Sequence, residues 1–283
     1  MDYLIEFPEL SVATLRSIKK SIDVAFKDFS KSYGDSIESF FEPLLYFMIW
    51  FEKLLTLTPW PITLFCFSFL TYFLTKNIKL SAIVMLYFLF VGLFGLWTST
   101  MYTISLVFVS TLISITLGIP IGIILAKSNS AQKIINPILD VMQTIPIFVY
   151  LIPVVMLLGL GRIPGVIAMC VYAIPPIIRL TNLGIRQVEK GMKEAATSLG
   201  LSKLQTLWSI ELPLSKKSIL VGINQTIMMT LSMVVIASMI GVQGLGYSVL
   251  QAVQNQYIGS GLINGFAIVG LAILLDRIIQ NEK

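Results

Sequence analysis

Apolar runs of roughly 17–25 residues recur along this chain, the length a helix needs to cross about 30 Å of hydrocarbon at 1.5 Å per residue. More than half of the 283 residues are hydrophobic and only 12% are charged, a balance that a water-soluble domain could not carry without exposing large apolar patches. The expected fold class is therefore all-α, a polytopic bundle of transmembrane helices. From Pro59 onward, glycine, proline and charge punctuation place about seven spans near 59–75, 80–97, 101–126, 136–159, 164–179, 218–241 and 261–279. The third is long enough to tilt, and Pro175-Pro176 should kink or end the fifth, because each proline removes a backbone donor.

Residues 1–58 read differently from the spans. Lys19, Lys20, Asp23, Lys27, Asp28, Lys31, Asp35 and Glu38 alternate with single apolar residues, and the more apolar stretch from Phe40 to Leu57 still carries Glu42, Glu52 and Lys53. Each such charge near mid-membrane costs roughly 2.5–3.5 kcal/mol, so this segment is expected to form amphipathic helices in the interface. The remainder, 59–283, is expected to be the transmembrane domain, with a cytoplasmic loop at about 180–217. Met1-Asp2-Tyr3-Leu4-Ile5-Glu6 lacks the basic start and small-residue cleavage site of a signal peptide, so the first span is expected to insert uncleaved.

Orientation follows from where Lys and Arg collect. Lys76 and Lys79, then Lys127 and Lys133, then Arg179, Arg186, Lys190, Lys193, Lys203, Lys216 and Lys217 fall on one side, joined by Arg277 and Lys283. The opposite loops carry Arg162 alone, which puts the C-terminus inside and, with seven spans, the N-terminus outside. The formal charge of +5 is thereby assigned to cytoplasmic loops rather than to nucleic-acid binding.

Several chemistries are excluded or disfavoured. There is no histidine, which rules out Ser-His-Asp and Cys-His constellations, and no GxxxxGK[ST] loop to cradle ATP phosphates. Cys66 and Cys170 both lie inside apolar runs and read as membrane-packing thiols rather than metal ligands or a disulfide. No enzyme activity, metal or cofactor is expected on this chain, and any energy source must sit on another one.

The stretch from Gly191 to Pro213 reads as two short amphipathic helices. Lys190 to Leu199 is rich in helix formers, Gly200 can take the left-handed conformation that stops a helix, Ser202 can cap the next, and Pro213 should end it. Ala195 and Ala196 form a small-residue face that lets a partner backbone approach, with Leu199, Leu204 and Leu207 as apolar anchors. A solvated connection between two spans is the plain alternative. Glu194-Ala195-Ala196, then Gly200, then Ile210, Leu212 and Pro213 resemble the EAA loop that permeases of ABC importers insert into a cleft of their ATPase subunit. By that resemblance Glu194, Ala195, Ala196, Gly200, Leu212 and Pro213 form the ATPase-coupling loop.

The likeness extends further. Gly118-Ile119-Pro120-Ile121-Gly122, Leu139 to Pro146, Pro175 to Thr181, Asn224-Gln225-Thr226 and Leu231 to Ile240 are similar to the permease of glycine betaine/proline betaine importers. That resemblance implies a type I ABC importer fold and multi-pass placement in a bacterial inner membrane. It also implies an ATPase subunit holding ATP and Mg²⁺, and an external substrate-binding protein. The cargo would be glycine betaine, proline betaine or a related compatible solute, with choline, trimethylamine N-oxide or a sulfonium osmolyte as alternatives. An ion-coupled secondary transporter is a further alternative, though no span places an unpaired carboxylate at mid-depth.

Polar residues within spans are candidates for the pathway, because an unsatisfied polar group in hydrocarbon is costly. Gln143 and Thr144, and Asn224, Gln225 and Ser232, either line it or only pack the bundle through interhelical hydrogen bonds. Asp140 is expected to pair with Lys133 or to snorkel. Phe148, Tyr150 and Tyr172 either face a quaternary ammonium or anchor the membrane interface. The Gly118–Gly122 and Gly261–Gly265 pairs permit close helix crossing, and because a single chain supplies half of such an importer, a homodimer is expected.

Overall fold

A computed structural model describes residues 10–280. The reading of Met1–Glu6 and of Lys283 lies outside the described residues. Every regular element among them is helical. Helix α1 (Val12–Leu57) is capped by Ser11, whose hydroxyl accepts from the Thr14 N–H, and runs through Pro43 for 46 residues. At Thr58-Pro59 the chain turns by 107° into α2 (Trp60–Thr75). Lys76, in the left-handed region at φ 53°, ends α2, and the Asn77 side chain caps α3 (Ile78–Leu93) by accepting from the N–H groups of Lys79 and Leu80.

Helix α4 (Trp97–Lys127) follows, then α5 (Asn129–Thr144), capped by Ser128. The run expected as one span over 136–159 is two helices, with α5 and α6 (Ile147–Leu158) meeting at 91°. The cause is Pro146: it has no N–H to continue the α5 ladder, and it holds Ile145 extended at φ −65°, ψ 130°. By length and composition four helices can cross a membrane, or up to six if each bent pair counts as one span, and α3 remains a shorter apolar helix.

Helix α7 (Arg162–Gln187) corrects a second expectation, since it continues through Pro175-Pro176. The two prolines strip the carbonyls of Val171 and Tyr172 of their helical donors. Next to these, the Thr226 hydroxyl of a neighbouring helix donates to the Ala173 carbonyl at 3.1 Å. Both prolines are buried, so surrounding helices keep the helix continuous where an isolated one would break.

Beyond α7 come α8 (Lys190–Ser198), α9 (Lys203–Thr206), a π-helical turn (Leu207–Glu211), α10 (Leu212–Ser238), α11 (Leu245–Gln254) and α12 (Ile258–Gln280). The core is the triple packing of α4, α7 and α10. Hydrophobic burial gives little drive between helices in lipid, so close approach of backbones matters more. A Cβ at Gly122 on α4 would lie 2.6 Å from Thr181 Cβ and 2.8 Å from the Ile178 carbonyl oxygen of α7, and one at Gly118 would overlap Ile177. The Gly118–Gly122 pair is thus used within the chain. A Cβ at Gly265 would meet no neighbouring segment within 4 Å, and one at Gly261 would meet only Ala252 of α11.

Only the C-terminal part of α1 joins this bundle. Met48 and Leu55 are buried, Phe51 stacks on Phe108 of α4 with ring centroids 4.9 Å apart, and Glu52 receives a two-pronged ion pair from Arg162 at 2.7 and 2.9 Å.

Candidate functional site

The segment from Lys190 to Glu211 leaves the bundle as a compact helical hairpin. Its first helix ends in a Schellman arrangement: Gly200 takes φ +76°, the Leu201 N–H reaches the Ala196 carbonyl, and the Gly200 N–H reaches that of Thr197, both at 3.0 Å. Ser202 and Gln205 then form a reciprocal capping box that starts α9. The stop at Gly200 and the start at Ser202 fall where the sequence places them.

Pro213 does not. It sits in the first turn of α10, and α9, the π turn and α10 form one uninterrupted run. A proline in that position would press its ring against the carbonyl of Ser209 in a regular α-helix. The wider π turn over Leu207–Glu211 relieves the crowding, and such turns recur at functional positions.

Charge ties the base of this hairpin to the membrane helices. Glu211, closing the π turn, is buried to 3% exposure, and its carboxylate pairs with Lys127 at the end of α4 and, at 3.8 Å, with Lys193 of α8. Lys193 also donates to the Ile185 carbonyl of α7 at 3.0 Å. Arg186 of α7 donates to the Leu125 carbonyl of α4 at 2.7 Å. A buried carboxylate holding two ammonium groups from different helices makes the hairpin and the ends of α4 and α7 one unit, since loss of both lysines would leave the Glu211 charge buried and uncompensated.

The far side of the hairpin faces outward. Glu194, Ala195 and Gly200 are exposed, as are the apolar side chains of Leu199, Leu204 and Trp208, at 81%, 65% and 65%. Two expected surface residues are turned the other way: Ala196, 1% exposed, and Leu207, 8% exposed, pack inward. Trp208, next to Leu207 in the chain, is the exposed one of the two. Leu212 is half-buried, and Pro213 is exposed at the start of α10.

The residues singled out for a pathway separate into two groups. Asn224 donates to Asp276 of α12 at 2.6 Å, which makes it an interhelical tie. Gln225 and Ser232 lie instead on an exposed stripe of α10 with Val221 and Met228, spaced as one helical face. Gln143 and Thr144 end α5 just before the Pro146 elbow. The Gln143 amide lies 4.0 Å from Met229 Sδ of α10, and the Thr144 hydroxyl donates to the Val141 carbonyl of its own helix. Asp140 pairs with Arg179 of α7 at 2.6 Å rather than with Lys133, because the α5–α7 packing brings Arg179 within reach. Phe148 is exposed and Tyr150 half-buried.

Sequence reasoning missed Glu211 and its two lysines. The one available signal was an isolated carboxylate inside the apolar stretch Leu207–Leu214; its partner Lys127 lies 84 residues away.

Comparison with known proteins places this geometry. Residues 118–281 match the family described as "Binding-protein-dependent transport system inner membrane component". The chain is 44% identical over 238 residues to the glycine betaine/proline betaine transport system permease protein ProW of Escherichia coli, covering 84% of this chain and 67% of that protein. It is 51% identical over 189 residues to the glycine betaine/carnitine transport permease protein GbuB of Listeria monocytogenes, covering 66% and 67%. Among solved structures, an inward-facing conformation of the MetNI methionine ABC transporter superposes with a TM-score of 0.56 at 20% identity, over 64% of this chain and 93% of that one, a likeness of fold alone.

Proposed function

This chain belongs to the family of binding-protein-dependent transport system inner membrane components, and from that premise we propose that it is the permease of an ABC importer for glycine betaine, proline betaine or a close analogue. Support for the cargo comes from relatives named for glycine betaine at 44% and 51% identity. The observation that carries the mechanism is the hairpin Lys190–Glu211, apolar at its tip and locked by charge at its base.

In this reading Leu199, Leu204 and Trp208, with Glu194 and Ala195 beside them, dock into an ATPase subunit that binds ATP and Mg²⁺. Gly200 sets the angle between the two arms. Closure of the ATPases moves the hairpin, and Glu211 passes the movement to α4 through Lys127, while α10 follows through the continuous helix. The permease itself makes and breaks no bonds. A second copy of the chain faces the α10 stripe, with Gln225 and Ser232 toward the pathway between them, Gln143 and Thr144 at its elbow, and Asn224 holding α10 to α12. An external binding protein delivers the cargo.

The topology has the coupling hairpin and the C-terminus inside and α1 outside, in accord with the basic residues at the hairpin end of the bundle. If α2 crosses the membrane, the 107° turn into it supports an α1 that runs along the membrane surface.

The test is uptake of labelled glycine betaine into proteoliposomes holding the permease, its ATPase and its binding protein. ATP-dependent accumulation that excess unlabelled betaine abolishes is the expected result. Accumulation of choline or trimethylamine N-oxide in place of betaine moves the cargo, and uptake by the permease alone ends the ABC reading. In the same system Gly200→Asp and Glu211→Gln are expected to lower transport by roughly tenfold or more while ATP hydrolysis continues, since the Glu211 change leaves Lys127 and Lys193 without their counter-charge.

A further inference from the structure

Between α5 and α7, at the end of the bundle that carries the hairpin, lies a cavity of about 460 Å³ lined by Gln132, Asn136 and Asp140 of α5 and by Arg179, Asn182, Leu183 and Arg186 of α7. That is within the ~300–1,000 Å³ common for small-molecule clefts. The polar residues recur once per turn on each helix, so a polar stripe on α5 faces a polar stripe on α7. The floor is held firmly: Asn182, 6% exposed, accepts from Arg186 Nε at 2.9 Å, and Arg186 Nη2 is bound to the Leu125 carbonyl.

Arg179 is different. One arm donates to Asp140 at 2.6 Å, while its Nε is buried without an acceptor. A guanidinium is built to grip a carboxylate with two parallel donors, and an orphaned buried donor is costly. Asp140 supplies only one contact, and its side chain is 64% exposed, so it is an easily displaced carboxylate occupying half of a two-pronged site.

We propose that this cleft binds the carboxylate of a zwitterionic cargo, with Arg179 as the principal donor and Asp140 as a built-in competitor that the cargo displaces. The assignment of a carboxylate-bearing cargo rests on the betaine reading above. Displacement removes the Asp140–Arg179 tie between α5 and α7 close to the Pro146 elbow, so occupancy of the cleft loosens that contact. Choline, which has the ammonium group without the carboxylate, has nothing to offer Arg179.

Saturation-transfer NMR on the permease–ATPase complex in nanodiscs of uncharged lipid, without binding protein, tests this with glycine betaine and acetate as probes. Arg179→Gln is expected to weaken both by roughly tenfold or more, whereas Asp140→Asn tightens both, and acetate competes with betaine while choline does not. A purely structural ion pair predicts that the two variants shift binding in the same direction; that result, or equal competition by choline, overturns the proposal. Displacement of betaine by added phosphatidylglycerol with no effect of acetate overturns it as well, in favour of a lipid headgroup. ATP-driven betaine uptake by the same variants in proteoliposomes that hold the ATPase and binding protein separates the two readings. Uptake with binding indifferent to Arg179 and Asp140 removes the cleft alone, and acetate binding that follows both residues without betaine uptake removes the cargo alone.

Discussion

Helices α7 and α1 are both long, both contain proline and both carry charged residues, yet α7 is buried along most of its length while α1 buries only Met48 and Leu55. Charge separates them in part, since α1 is far more charged and only α7 is apolar enough to span by itself, yet α1 is not short of large apolar side chains. Along α1, Leu15, Ile18, Ile22, Phe29, Tyr33 and Phe40 form a stripe at helical spacing, and all are exposed. What α7 has and α1 lacks is a neighbour whose backbone comes close: Gly118 and Gly122 of α4 on one side and Gly222 of α10 on another. In a bilayer lipid solvates apolar side chains as well as protein does, so small residues and fitted surfaces decide which helix goes inside. An amphipathic helix with large apolar residues on one face and charges on the other is matched instead to the boundary between lipid and water.

The strongest way to break this comparison is Gly122→Leu. Its side chain would meet Thr181 and the Ile178 carbonyl, with overpacking of about 1–3 kcal/mol or more, and loss of the monodisperse folded permease on size-exclusion chromatography is expected. Gly265→Leu, at an open position, is expected to leave the elution profile unchanged. If both behave alike, close approach is not what selects the core.

The α1 side of the comparison is sharpened by Phe29→Trp. Quenching of that indole by brominated lipid, with no shift in thermal unfolding, is expected of an interfacial helix, and an unquenched, water-exposed Trp counts against it. The smallest effect belongs to the link between the two helices. Arg162→Ala removes the two-pronged pair to Glu52, and because Arg162 is 38% exposed the expected cost is only about 1 kcal/mol, read as a small fall in thermal midpoint. A large fall would mean that α1 belongs to the cooperative core after all.

How far the sequence could be read depended on how local each cause was. The Gly200 stop and the Ser202 cap were legible because a Schellman turn and a capping box need only neighbouring residues. Pro146 was visible as a letter but not as a 91° elbow, and Pro175-Pro176 signalled a break that the buried position of α7 overrides. The outward and inward faces of the hairpin were only half legible: Ala195 and Ala196 are adjacent, yet one is exposed and the other is packed under the hairpin. Glu211 with Lys127, and Asp140 with Arg179, are pairs between helices distant in the chain, and nothing in the spacing of either announces the other.

By itself the sequence determined that this chain belongs in a membrane, that it is helical, that it carries a helical pair at its basic end, and that it has neither a histidine nor a GxxxxGK[ST] loop, since hydropathy, capping and composition act residue by residue. Only the tertiary structure decided which helices form the core, which proline turns the chain and which a helix runs through, and which charges meet. Those outcomes depend on distances between segments that the bundle brings together, and in a bilayer the fit of close surfaces outweighs the local preferences from which a sequence is read.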